Sequence, residues 1–448
     1  MARIPVMTIG GSDPSGGAGI QTDIKAFQSL GLHPISILTS ITIQNTQTVK
    51  QIIPMSPESI TDQIETIMED IPVKYVKTGL LYHPDISKMV AVAAKKHHWH
   101  LVVDPVLTAT SGDALSISDF EEELKRTLLP ISEVITPNIP EAEKLTKKSI
   151  KTVDDMKDAV KILNQFGTKI IILKGGHLQG EKSYDILYDG KEFTVFTLPR
   201  IPNKKAHGSG CTFAALLTGF LAKGQSIDKS FSLAKTSLWH MIYTGYDIGK
   251  GSDVLSVSSE SIQDAPYNLP TTEHINVWMD LHSTVTTLSL DIPLTFIPEV
   301  GLNIGYALPN AKNHKDICAI DGRIVRTSVG PHRCGPLQFG ASKHIASIIL
   351  AAMRIHPTTR SAMNIKYRPD ILDLCKKTDY IISSFDRSDE PPQASSMDWG
   401  TTNAIEKSDI FPDIIYDEGG MGKEPMIRIL GTDPTDVATK VKKIMKEL

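Results

Sequence analysis

The sequence predicts an α/β protein in two parts: a larger first domain with a mostly parallel sheet and flanking helices, then a second, smaller α/β domain. Three observations carry this. Short β-branched runs alternate with helical patterns of about 10–15 residues, the spacing of βαβ units. The chain has 448 residues, more than the roughly 250–300 at which a single core stops growing. Near residue 250 the pattern changes, and Ser252–Thr272 holds several serines, two prolines and no clear period. A linker is therefore expected around Ser259–Pro270, between domains at residues 1–262 and 273–448.

Taken in order, Val6–Ile9 is a short apolar strand that runs into a glycine-rich turn. Ile20, Ile24, Phe27 and Leu30 follow at helical spacing, and Gly31 ends that helix. Ile35–Ile43 reads as a β-branched strand. Pro57–Asp70 is helical, with Ile60, Ile64 and Ile67 on one face and Ser56 as N-cap. Strands are predicted at Tyr75–Lys77, Leu101–Asp104, Val134–Thr136 and Lys169–Lys174. Beyond the linker, Thr271 or Thr272 caps a helix with Ile275, Trp278, Leu281 and Val285 inward. Strands follow at Ile317–Val325, Tyr380–Ser383 and Met426–Leu430, and helices at Ser342–Met353 and Pro434–Met445.

Composition narrows the function. Hydrophobic residues are 41% and charged residues 22%, and the net charge is −4. That balance gives no reason to expect a nucleic-acid or membrane-surface partner. No run approaches the roughly 18 apolar residues of a membrane helix. The N-terminal apolar run is too short for a signal peptide. Cys211, Cys318, Cys334 and Cys375 form no C-x-x-C pair, so reduced thiols in a cytoplasmic protein are expected. The tract Lys95–His100 looks like a metal ligand set, but it reads better as a cationic helix end before a strand.

The first motif is Gly10-Gly11-Ser12-Asp13-Pro14-Ser15-Gly16-Gly17-Ala18-Gly19-Ile20-Gln21-Thr22-Asp23. Its glycines allow close backbone approach to a ligand, and the helix after it offers free N–H groups. The second is His207-Gly208-Ser209-Gly210-Cys211, leading into the apolar run Thr212–Leu221. Backbone amides of Gly208, Ser209, Gly210 and Cys211 make an anion hole at a helix start, where phosphoryl transfer needs donors. Cys211 falls in the first helical turn, which lowers a thiol pKa and suits it to take a proton from a hydroxyl. Asp104 and Glu141 follow strands and are hard oxygen ligands of the kind Mg²⁺ uses with substrate phosphates. Lys174 ends another strand within reach of a nucleotide phosphate. No G-x-x-x-x-G-K-[ST] string occurs, which excludes a P-loop NTPase.

These strings, with Gln44-Asn45-Thr46, Thr136–Glu141 and Leu173–His177, resemble hydroxymethylpyrimidine and phosphomethylpyrimidine kinase of the ribokinase-like superfamily, over residues 3–250. The resemblance implies ATP and Mg²⁺, and phosphorylation of the pyrimidine alcohol and then of its monophosphate. It implies that Gly11, Asp23, Gln44, Leu80 and Val106 surround the pyrimidine. Asp104 and Glu141 serve the metal, Lys174 the nucleotide, and Cys211 the catalytic position. Pyridoxal is the alternative substrate, and a homodimer is the family's expectation.

The second domain carries Asp321–Arg326, Phe339–Ala346 and the glycine-rich Asp417–Pro425. Two arginines on a strand and a Lys-His pair at a helix start suit a diphosphate. On a strand, Arg323 and Arg326 point to opposite sides, so at most one faces a given site. Together the strings resemble the thiamine-phosphate synthase domain fused behind this kinase in archaea and some bacteria, over residues 275–448. The resemblance implies condensation of hydroxymethylpyrimidine diphosphate with a thiazole phosphate. Arg323 and His344 are the catalytic candidates, with Lys343 and Arg326 as substrate ligands. The alternative is a thiamine-phosphate sensor without synthase activity.

Overall fold

The computed structural model describes residues 3–107, 119–202, 204, 206–266, 269, 271–391 and 396–447. The chain divides into two compact units, Met1–Ala265 and Pro266–Leu448. The expected linker is shorter than the sequence suggested. Ser259–Gln263 is a helical turn capped by Ser258, and its Ile262 packs against the first unit's core. Residues 267, 268 and 270 of that linker lie outside the described residues.

The first unit holds one nine-stranded sheet. Its strands are β1 (Pro5–Ser12), β2 (His33–Gln44), β3 (Val49–Pro54), β4 (Tyr75–Thr78), β5 (His100–Val103), β6 (Val134–Ile135), β7 (Ile170–Lys174), β8 (Lys182–Tyr188) and β9 (Phe193–Pro199). They lie in the order β3-β2-β1-β4-β5-β6-β7-β8-β9. The neighbours from β2 across to β7 are parallel, and β3, β8 and β9 add antiparallel edges. Buried residues alternate between the faces. Met7, Val76, Leu101, Ile135 and Ile171 pack into one layer, and Val6, Val102, Val134 and Ile172 into the other. That is the period-2 pattern of a sheet covered on both sides. The apolar helix Ser209–Ala222 belongs to the second layer, with Phe213, Leu216 and Leu217 fully buried. A short parallel pair, β10 (Ala206–His207) and β11 (Asp253–Val254), stands apart from the main sheet.

Periodicity misjudges one helix. Gly19–Ser29 buries Thr22, Asp23, Ala26 and Phe27, while Ile20 and Ile24 are only half-buried. Its inward face carries polar groups because it looks onto a cavity at the end of the sheet. The Ser56 cap is present: Ser56 Oγ accepts from Ser59 N at 3.1 Å, a contact worth about 1 kcal/mol.

The second unit has a seven-stranded sheet and a separate hairpin. Its strands are β12 (Ile304–Ala307), β13 (Ile317–Ile320), β14 (Arg323–Thr327), β15 (Gly330–Cys334), β16 (Leu337–Phe339), β17 (Ser361–Lys366), β18 (Ile382–Ser384), β19 (Ile414–Asp417) and β20 (Met426–Gly431). The sheet order is β16-β13-β12-β17-β20-β19-β18, with only β18 and β19 parallel. The single strand expected at Ile317–Val325 is two strands. The chain breaks at Gly322, whose φ of 142° admits glycine, and β14 leaves the sheet to pair with β15. Thr271 caps the helix Thr272–Asp291, which buries Ile275, Trp278, Leu281 and Val285. Helices Lys343–Ile355 and Ser396–Glu406 share a core with Phe385 and Ile415.

Candidate active sites

The first unit's cavity, about 750 Å³, opens where the parallel strands end and the strand order reverses beside β1. This is the position at which doubly wound sheets bind ligands. The pairing of β1 with β2 slips by one residue between Gly10 and Gly11. The turn after β1 is organised by Asp13. Its carboxylate accepts from Ser15 N at 2.9 Å, Ser15 Oγ at 2.8 Å and Ala18 N at 2.8 Å. It also lies 3.1 Å from His207 Nε2. Burial pulls the Asp13 pKa up, but the hydrogen bonds from His207 and Ser15 outweigh it and hold the group below the ordinary carboxylate range. Gln44 Nε2 lies 3.1 Å from the same His207 nitrogen.

The two glycine strings are in backbone contact. At Gly208, with φ 78°, an added Cβ would stand 1.9 Å from the Gly17 carbonyl oxygen. Only glycine fits there. From Gly208 the helix Ser209–Ala222 starts with no side chain capping it, so its first N–H groups are left for a ligand. Gly208, Ser209, Gly210 and Cys211 line the cavity.

Gly11, Asp23, Gln44, Leu80 and Val106 line the same cavity. At Gly11 an added Cβ would come within 2.7 Å of Ser40 Oγ and 3.1 Å of Leu80 Cδ2. Asp23 is fully buried and accepts from Thr8 Oγ1 at 2.6 Å and Lys77 Nζ at 2.8 Å. Its Oδ1 has no hydrogen-bond partner. Burial raises the Asp23 pKa against the pull of Lys77. Burial also works against charge on Lys77, but Asp23, Cys211 and Asp104 hold its pKa above that of an ordinary lysine.

Cys211 departs from expectation. Its place at a helix start was expected to lower the thiol pKa, yet burial pushes it up to about 11. The Lys77 ammonium and a hydrogen bond from the Gly19 backbone pull it down, while Asp23 and Asp104 push it further up. Desolvation outweighs the helix terminus.

Asp104 Oδ1 accepts from Lys174 Nζ at 2.9 Å and from Thr136 Oγ1 at 3.1 Å. Lys174 is thus tied to a carboxylate, and that partner and Glu141 raise its pKa against burial. Glu141 forms a capping box with Asn138, accepting from Asn138 N at 2.8 Å. Burial pushes the Glu141 pKa up to about 8; Lys174 opposes this and Asp104 adds to it. No three His, Cys, Asp or Glu side chains cluster as a metal cage among the described residues. Two adjoining buried carboxylates do fit Mg²⁺, which completes its shell with phosphate and water. Farther along the cavity, Asp185 accepts from Gly175 N at 2.9 Å and pairs with Lys235 at 2.7 Å.

Sequence reading missed Lys77 and the Asp185–Lys235 pair, and it gave Asp13 and His207, which stand in its two motifs, no role of their own. Lys77 did carry a signal, since a lysine inside an otherwise buried strand must have a partner. The Lys95–His100 tract makes ordinary surface contacts: Lys96 and His97 meet Glu65, and His100 Nδ1 lies 2.6 Å from Glu133.

The second unit's cavity is about 390 Å³, and Arg323, Ser342 and His344 line it. Arg326 and Lys343 are exposed and are not among its lining residues. Strand alternation turns Arg326 away, and Lys343 precedes His344 on the outer side of the helix start. Burial and the charges of Arg323, Arg428 and Arg387 lower the His344 pKa, so its imidazole is neutral near pH 7. Arg387 and Arg428 also line the cavity. Asp417 Oδ2 accepts from Arg428 Nη2 at 2.7 Å and from Arg387 Nη2 at 3.1 Å. The glycine-rich loop reaches the cavity through Gly422, Lys423 and Glu424.

The phosphomethylpyrimidine kinase family matches residues 13–256, and the thiamine-phosphate synthase ThiN family matches residues 280–443. The bifunctional thiamine biosynthesis protein ThiDN of Methanocaldococcus jannaschii is 35% identical over 98% of both chains. The chain belongs to this bifunctional thiamine biosynthesis family. Its first unit is the kinase and its second the synthase domain of that family. The hydroxymethylpyrimidine/phosphomethylpyrimidine kinase of Bacillus subtilis is 41% identical, covering 56% of this chain and 93% of its own. Among solved structures, an ADP complex of Bacillus subtilis pyridoxal kinase superposes with a TM-score of 0.54 at 33% identity, covering 58% of this chain and 99% of its own. Among the described residues, no helix of this thiamine biosynthesis protein is long and apolar enough to cross a membrane.

Proposed function

We propose that the first cavity transfers phosphate from ATP to hydroxymethylpyrimidine and then to its monophosphate. The second cavity then joins the diphosphate to a thiazole phosphate, releasing pyrophosphate. The observation that supports this most is the convergence, at one end of a parallel sheet, of an uncapped helix start, a half-buried lysine and two buried carboxylates. The pyrimidine lies against Gly11, Gln44, Leu80 and Val106, and the unpartnered Asp23 Oδ1 accepts a hydrogen bond from its amino group. The amides of Ser209, Gly210 and Cys211 hold the phosphoryl group in transit. Lys174 exchanges Asp104 for a nucleotide phosphate. Asp104 and Glu141 hold Mg²⁺, which neutralises phosphate charge. Cys211 accepts a hydrogen bond from the attacking hydroxyl and, as thiolate, its proton; the Lys77 charge favours that form.

In the second cavity the bond between the pyrimidine methylene and the diphosphate oxygen breaks, and its electron pair leaves on oxygen. The thiazole nitrogen supplies the pair for the new C–N bond, so no proton need move. Arg323 stabilises the charge that grows on the leaving oxygen.

The test is one incubation of the protein with ATP, Mg²⁺, hydroxymethylpyrimidine and thiazole phosphate, with every product followed. ADP and thiamine phosphate are expected. Likeness to pyridoxal kinase supports pyridoxal as a second substrate, read out by adding it as competitor. Tight thiamine-phosphate binding with no synthesis would make the second unit a sensor.

A further inference from the structure

One carboxylate in the second unit is shared by two guanidinium groups. Asp417 ends β19 and is wholly buried. Arg387 meets it through Nε and Nη2, and Arg428 through Nη2. Gly419 N donates to the same carboxylate at 2.9 Å. Arg428 is 1% exposed, the central side chain of an otherwise apolar strand, with its guanidinium 5.2 Å from the Phe385 ring centroid. Burying two guanidiniums against one carboxylate leaves a net positive charge out of water, which is costly unless something answers it. Arg323 adds a third cation on the same cavity. Its Nη1 donates to the Gly322 carbonyl, and no carboxylate lies within ion-pair distance among the described residues. Asp417 lies behind the cavity wall, and the acidic residue that does line it, Glu424, is spent on the backbone, accepting from Glu299 N at 2.9 Å and Val300 N at 3.1 Å. Lys423, also on the cavity, pairs with Glu390 outside it.

Free donors point the same way. Each guanidinium has five N–H groups. Among the described residues Arg387 Nη1 and Arg428 Nε have no acceptor, and Arg428 Nη1 has only the Met426 carbonyl at 3.2 Å. The helix Lys343–Ile355 begins beside them at Ser342, which lines the cavity, and a helix start favours an anion.

We propose that Arg387 and Arg428, held together by Asp417, form a cradle for the diphosphate of the pyrimidine substrate, with Arg323 closing it from the hairpin β14–β15. Asp417 is a positioning residue, which fixes both forks and keeps two like charges side by side. The cradle rests on the synthase reading of this unit. It assigns the polyphosphate end of the substrate to the β19–β20 side of the cavity. As the C–O bond breaks, the charge that collects on the departing oxygen finds two planar donors already in place, which costs no rearrangement.

The experiment is calorimetric titration of the full chain with pyrophosphate, the first cavity being filled with a saturating non-hydrolysable ATP analogue. Arg428→Met and Arg387→Met are expected to weaken pyrophosphate binding by about 10–100-fold, the range for losing charge-assisted hydrogen bonds. Arg387→Lys keeps the charge beside Asp417, guards against misfolding, and should fall between wild type and Arg387→Met. Unchanged affinity in all three variants, or a wild type that does not bind pyrophosphate, overturns the cradle. Thiamine-phosphate synthesis is measured alongside. If the variants lose pyrophosphate but the wild type makes no thiamine phosphate, the cradle stands and the synthase reading falls.

Discussion

Cys211 shares its corner of the cavity with Lys77, Asp23 and Asp104. Removing the sulfur takes away the proposed proton acceptor and leaves the amides of the helix start in place. Cys211→Ala is expected to lower the first kinase step, on the pyrimidine hydroxyl, by about 10²–10⁴-fold, the usual size of an acid–base contribution, with nucleotide affinity retained. Near-normal turnover would reduce Cys211 to packing. Because the thiol keeps its proton until about pH 11, its thiolate fraction climbs steadily across the working range. Wild-type turnover should therefore rise with pH without levelling off below about pH 10, and Cys211→Ala should lack that rise. Lys77 carries a different kind of weight. Its ammonium and the Asp23 carboxylate are each about 1% exposed, and removing one member of a buried pair strands the other. Lys77→Met is expected to cost the first unit about 3–5 kcal/mol, read as an earlier first melting transition.

At the scale of elements, the start of Ser209–Ala222 is the most constrained point. Gly208→Ala must pay for a left-handed backbone and for a methyl 1.9 Å from the Gly17 oxygen. The helix start has to move away from the glycine turn, and nucleotide affinity and phosphoryl transfer should fall together. If both survive, the turn and helix are not mutually locked. Elements were legible where their pattern answers to burial alone. Pro434–Met445 has the bounds its sequence suggests, and the parallel strands of the first unit appear at or within a few residues of their apolar runs. Reading failed where a site bends the rule. Ile20 and Ile24 lost the inward face to Thr22, whose hydroxyl lies 3.1 Å from that of Thr212, and to Asp23, which lines the cavity. The strand through Asp321 broke because Gly322 turns the chain out of the sheet. Arg387 and Arg428 went unnoticed because their partner Asp417 is distant in sequence from Arg387 and sits on the neighbouring strand from Arg428. Arg428 did break an apolar run, the sort of conflict that marks a functional position.

For the whole molecule, the two units have separate sheets of different character, mostly parallel in the first and mostly antiparallel in the second. Damage confined to one should spare the other. Arg323→Ala and His344→Ala are expected to abolish thiamine-phosphate formation while ADP release in the kinase assay is unchanged. Loss of both activities would show the units to be coupled, and normal synthesis would remove the two residues from the site. Calorimetry adds a second reading. An ATP analogue at 100 times its Kd should stabilise one melting transition by about 2.7 kcal/mol and leave the other where it was, and pyrophosphate should do the reverse.

The half-buried Cys211 thiol also bears on how the protein ages in air. Peroxide attacks thiolates, and oxidation follows exposure and thiolate character. At neutral pH only about one Cys211 in ten thousand is ionised, given a pKa of about 11. Cys318 is wholly buried, with its pKa likewise raised by burial, whereas Cys334 is exposed on β15. Stored or oxidatively stressed protein should therefore first become oxidised or crosslinked at Cys334. Cys211 lines the cavity, yet it is kept protonated by its surroundings and so makes a poor target for peroxide.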